Sequence, residues 1–198
     1  TIEVPGSKSI TTRMLLLACM ADHRVTLTGA LFSDDSRHMI DCLKQLGVEV
    51  AAEEASQTIT VSGTGGVIPA ENASLFVGVA GTAARFLTAF CATRNGGRFE
   101  LDGTEQMRKR PMKGLLDALE QQGTQIESNE GFLPATLSPH GLKGGRIYLE
   151  TSASTQLLSA LLMVAPLAEN DLEIEISGGA EKKPFVTLTQ ELMYRFGQ

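Results

Sequence analysis

The sequence predicts an α/β fold built from three copies of a βαβαββ unit, arranged with pseudo-threefold symmetry around buried helices. Two observations carry this prediction. Alternating strand-like runs, RVTLTG, GRFELDG and DLEIEISG, end at Gly29, Gly103 and Gly178, about 75 residues apart. About twenty residues further on, Gly47, Gly123 and Gly197 each close an amphipathic helical stretch, as expected at a helix C-terminus. The whole chain, residues 1–198, is read as a single domain whose copies span about residues 1–66, 67–140 and 141–198.

Each copy opens with a strand and then a helix that is apolar nearly all round: MLLLACMA, FLTAFCA and LLSALLMVA. A helix without a polar face is predicted to be buried on every side. The alternating run follows, and after it a helix with one apolar stripe. That stripe is Met39, Ile40, Leu43 and Leu46 in the first copy and Met112, Leu115, Leu116 and Leu119 in the second. Val186, Leu188, Leu192, Met193 and Phe196 give a rougher version in the third. Strand pairs then end the first two copies, VEVAAEE with QTITVSG and TQIESNE with FLPATLS. The sequence reaches Gln198 where the third pair is expected to begin.

Composition removes several classes of function. A net charge of −6 and 5% aromatic residues argue against a nucleic-acid surface. The longest apolar run, Met14 to Ala21, is too short to span a bilayer, and it has neither the flanks nor the cleavage site of a signal peptide. Cys19, Cys42 and Cys91 fall in predicted helices and read as reduced core thiols, which fits a cytoplasmic location. His23, His38 and His140 show no metal-ligand spacing, so no metal site is expected. GTGGVI lacks the glycine pattern and the following helix of a dinucleotide fingerprint.

The chemistry lies at the starts of the buried helices, where free N–H groups and the helix dipole favour an anion. These starts are Ser7-Lys8-Ser9, Gly81-Thr82-Ala83 and Ser154-Thr155-Gln156. Pseudo-threefold symmetry predicts that they converge at one end of the domain. Small hydroxyls there also serve as plain N-caps. Lys8 is different, because a cation at a helix N-terminus opposes the dipole. Arg13 adds a second cation one turn later, and Met107-Arg108-Lys109-Arg110-Pro111 and Lys182-Lys183-Pro184 precede the second and third amphipathic helices as basic loops.

PGSKS with Arg13, SDDSRHM from Ser33, AGTAARF from Ala80, MRKRP and STQLLSALLMVAPLA together resemble the 5-enolpyruvylshikimate-3-phosphate (EPSP) synthases along the whole chain. The resemblance implies one domain of the enolpyruvyl transferase fold, an inside-out α/β barrel. It implies a transferase of aromatic amino acid biosynthesis that moves the enolpyruvyl group of phosphoenolpyruvate to the 5-hydroxyl of shikimate 3-phosphate. The family's reaction uses no metal or organic cofactor. By resemblance, Lys8 is catalytic and reaches between the two substrates, with Ser9 and Arg13 also in contact. Gly81 and Arg110 hold phosphoenolpyruvate. Ser154 and Thr155 bind the shikimate phosphate, and Gln156 lies between the ligands.

Family members have two such domains that close as a clamp. The chain resembles the N-terminal, shikimate-phosphate-binding one, so a second domain is its implied partner and the chain alone is expected to be inactive. The family usually has Asn where Val79 stands, Pro at Phe86, Ser at Lys182 and Tyr at Phe185. Lys182 is expected to take over part of the serine's phosphate contact, and Phe185 to keep the tyrosine's packing role. A non-catalytic ligand-binding domain derived from the family is the alternative. The related transferase acting on UDP-N-acetylglucosamine ranks last, since it carries a loop cysteine and the cysteines here fall in helices.

Overall fold

The computed structural model describes residues 6–150, 154–177 and 184–197. The first copy supplies α1 (Lys8–Met20), β1 (Arg24–Thr28), α2 (Asp34–Gln45), β2 (Val50–Glu53) and β3 (Thr58–Ser62). The strand predicted ahead of α1 lies outside the described residues. The second copy runs β4 (Asn72–Phe76), α3 (Gly81–Ala92), β5 (Arg98–Asp102), a one-turn helix α4 (Glu105–Arg108), α5 (Lys113–Gln121), β6 (Gln125–Asn129) and β7 (Phe132–Ser138). The third gives β8 (Gly145–Glu150), α6 (Thr155–Val164), a 3-10 turn (Ala165–Leu167), β9 (Leu172–Ser177) and α7 (Pro184–Arg195). The recurring order is that of the predicted unit.

Each copy builds its own small sheet by the same rule. In the second, β4 lies parallel to β5, β5 pairs antiparallel with β7, and β7 with β6. The first copy repeats the β1–β3–β2 part of this order, and the third repeats the parallel pair as β8 and β9. Parallel neighbours need a crossover, and the buried helix supplies it.

The all-apolar helices occupy the centre. Every residue of α3 except Thr82 is buried, and this helix packs on α1, α2, α5 and α6. Its small residues Ala83, Ala84, Ala89 and Ala92 allow close approach of the neighbours. The amphipathic helices bury their predicted stripes: Met39, Ile40, Leu43 and Leu46, then Met112, Leu115, Leu116 and Leu119. In α7 only Val186 and Leu192 of the stripe are fully buried, while Leu188, Met193 and Phe196 are partly so. Gly47, Gly123 and Gly197 adopt φ of 86°, 95° and 80°, the left-handed closure expected of them.

All three cysteines are free and buried in helices. Burial pushes the Cys19 and Cys42 thiols up to about 12 and Cys91 upward as well, so they are inert core residues. Among the described residues no helix is long and apolar enough to cross a membrane. The basic stretch before α5 is exposed but partly tied down. Met107 is buried, Arg108 is exposed but forks onto Asp102 with Nε 2.9 Å from Oδ1, Arg110 donates to Val79 O, and Lys109 stands exposed.

Candidate anion-binding site

The glycine of PGSKS is fixed by packing. A Cβ on Gly6 would stand 2.5 Å from Gly29 O and 2.9 Å from Leu31 N, both backbone atoms that cannot swing away. The chain can therefore enter α1 there only as glycine. Ser7 caps α1, its hydroxyl accepting from Ile10 N at 3.4 Å, and Ser154 caps α6 by accepting from Gln156 N at 3.1 Å. The N-cap of α3 is Ala80, which has no side chain to offer, so the start of that helix stays uncapped.

The three starts converge as the symmetry predicts. Ser9 of α1, Thr82 of α3, and Ser154, Thr155 and Gln156 of α6 line one cleft of about 380 Å³. Arg13 forms part of its wall, and Pro184 and Phe185 at the start of α7 close one side. Six of the predicted site residues thus meet: Ser9, Arg13, Ser154, Thr155, Gln156 and Phe185. Lys182 lies outside the described residues.

Lys8 turns elsewhere. It is half-exposed, and its Nζ lies 3.4 Å from Oδ2 of Asp35 in the first turn of α2. That carboxylate offsets the unfavourable position of an ammonium at the start of α1. Gly81 and Arg110 form a neighbouring cluster at the α3 start. Arg110 Nη1 donates to Val79 O at 3.3 Å, and Arg85 donates from Nη1 to Gly81 O and from Nη2 to Pro111 O. Arg85 is buried, with Nε unpartnered among the described residues. Burial, then the charge of Arg110, pull its guanidinium down to about 10, so it remains a cation at neutral pH.

Arg13 is 1% exposed. Its Nε donates to Thr189 Oγ1 at 2.7 Å, Nη2 to Ser159 Oγ at 3.0 Å and Nη1 to Ser9 O at 3.0 Å. Burial pulls it to about 10, and it too stays charged. Neither Arg13 nor Arg85 has a carboxylate partner among the described residues, which is unusual for buried charge. Sequence reasoning missed Asp35, Arg85, Ser159 and Thr189 and did not count Thr82 as a site residue. Polar residues inside apolar helical stripes, such as Arg85 in AARFLTAFCA, were the available signal.

Gly81 shows how tightly the α3 cluster is packed. A Cβ there would lie 2.8 Å from Nη1 of both Arg110 and Arg85. Arg110 is partly exposed and can give way, whereas Arg85 is buried. Gly81→Ala is expected to cost about 1–3 kcal/mol, measured by urea unfolding, with Arg110 displaced from Val79 O. An unchanged midpoint would mean that both side chains relax freely.

By fold, the chain is of the enolpyruvyl transferase type. A solved EPSP synthase from Acinetobacter baumannii superposes with a TM-score of 0.79 at 23% identity, covering 94% of this chain and 42% of that one. The family model EPSP synthase (3-phosphoshikimate 1-carboxyvinyltransferase) matches residues 1–198, and the chain belongs to that family. Similar curated proteins named 3-phosphoshikimate 1-carboxyvinyltransferase come from Opitutus terrae, 48% identical over 99% of this chain and 46% of that protein, and Trichormus variabilis, 47% identical over 100% and 46%. The chain spans about half the length of the curated relatives it matches.

Proposed function

We propose that the chain is one domain of a 3-phosphoshikimate 1-carboxyvinyltransferase, the domain that binds shikimate 3-phosphate. The carrying observation is the cleft itself: three helix starts and the uncompensated charge of Arg13 face one space, with Arg85 and Arg110 beside it. A phosphate would complete this arrangement, accepting hydrogen bonds at the α6 start from Ser154 and Thr155. Gln156 then reaches toward the second ligand. Phosphoenolpyruvate sits toward Gly81 and Arg110, and Lys8 leaves Asp35 to stand between the substrates as the catalytic lysine. Lys182 adds to the phosphate contact, and Phe185 packs on the substrate ring.

The reaction joins the 5-hydroxyl oxygen to the enolpyruvyl carbon and releases phosphate, and it needs groups that give and take protons. The described lining of the cleft holds hydroxyls, an amide, a guanidinium, a proline and a ring, but no carboxylate or imidazole. The proton-transfer groups are assigned to the remaining half of the enzyme's length, closing over the cleft.

Calorimetric titration of the chain with shikimate 3-phosphate is expected to show weak binding that falls with salt. Mixed with both substrates, the chain alone is expected to release no phosphate above the uncatalysed rate. No heat of binding at millimolar ligand would remove the substrate reading. Phosphate release by the chain alone would show that the acid and base groups lie within it.

A further inference from the structure

Arg13 poses a charge problem that the described residues answer without a carboxylate. It is almost fully buried, and its hydrogen-bond acceptors, Ser9 O, Ser159 Oγ and Thr189 Oγ1, are all neutral. Lys8, by contrast, has the ordinary solution, an ion pair with Asp35. Two rings flank Arg13 instead. Its guanidinium carbon is 5.2 Å from the ring centroid of Phe86 and 5.7 Å from that of Phe185. Both distances fall within about 6 Å, the range over which a ring face attracts a cation.

We propose that Phe86 and Phe185 are positioning residues whose rings cradle Arg13 in the cleft wall, in the place a carboxylate would otherwise take. The difference decides what the cleft attracts. A carboxylate would steady the guanidinium but cancel its field. A ring quadrupole steadies it while carrying no net charge, so the positive charge in the cleft wall is not cancelled. Three of the guanidinium's five N–H groups are used by the protein, which leaves two without an acceptor among the described residues. The ligand class is a small molecule bearing phosphate or carboxylate.

The two rings are not equivalent. Phe86 is fully buried in α3 and absent from the described cleft lining, so its influence on a ligand is indirect, through neighbours such as Arg13. Phe185 is 47% exposed and lines the cleft, so its substitution also changes direct contacts. Phe86 is therefore the cleaner probe.

The test reads Arg13 directly and rests on the shikimate 3-phosphate reading only for its binding arm. The Arg13 Nε–H is buried and hydrogen-bonded, so its ¹⁵N–¹H resonance is expected to exchange slowly and to carry the ring-current shift of its neighbours. Phe86→Leu and Phe185→Leu should each move that resonance, while Phe185→Tyr, which keeps the ring, should leave it in place. Phe86→Leu should weaken shikimate 3-phosphate binding by about three- to tenfold. If Phe86→Leu fails to fold, the two Phe185 variants decide by the same resonance. A resonance unmoved by loss of either ring, or an affinity unchanged in a folded Phe86→Leu, overturns the cradle. A parent chain that ignores shikimate 3-phosphate overturns the substrate reading instead, and the resonance arm still decides the cradle.

Discussion

Arg13→Met is expected to lower the affinity for shikimate 3-phosphate about a hundredfold or more, while changing the melting temperature by only a few degrees. The two halves of this expectation have separate causes. A unit charge close to an anion in a partly enclosed cleft is worth about 4 kcal/mol at 4 Å with an effective dielectric near 20, and methionine removes it. Stability responds differently because two terms oppose each other. The variant loses three hydrogen bonds and two ring contacts. It also loses a buried cation whose pKa of about 10 corresponds to roughly 3 kcal/mol of desolvation cost.

The hydroxyls left behind are not orphaned. Thr189 Oγ1 still donates to Phe185 O at 2.7 Å, and Ser159 Oγ keeps its 3.0 Å bond with Thr189. Methionine fills most of the vacated length. Calorimetric titration and a thermal melt of the same sample check both halves. Unaltered affinity would remove Arg13 from the site, and a collapse in melting temperature would make it a structural residue first.

Phe90→Ala should cost about 3–5 kcal/mol, lowering the melting temperature by roughly 10 °C. Phe90 is fully buried on α3, the helix on which four others pack. A cavity in its place is expected to persist, because helices from all three copies pack on α3. Urea unfolding measures the loss directly. A cost below about 1 kcal/mol would mean that the centre of the helical layer collapses readily and is not a close-packed core.

Helix periodicity and glycine spacing are local properties, and they settled much of this protein in advance. The all-apolar runs had to be buried, the glycines at 47, 123 and 197 had to close their helices, and the repeated order put the helix starts at one end. Convergence of Ser9, Thr82 and Ser154 on one cleft follows from that symmetry alone. The basic stretch at Arg108 was less legible, because nothing in its local pattern points to Asp102, six residues earlier, as a partner.

What tertiary structure decided is the state of each charge. Arg13 finds Ser159 and Thr189, 146 and 176 residues away, between two rings brought from other helices. Lys8 is drawn to Asp35, and Arg85 is buried between two carbonyls. Periodicity says which face of a helix leaves water. It does not say which distant hydroxyl, carboxylate or ring will meet a cation there, because a charge answers to everything within a few ångströms whatever its separation along the chain.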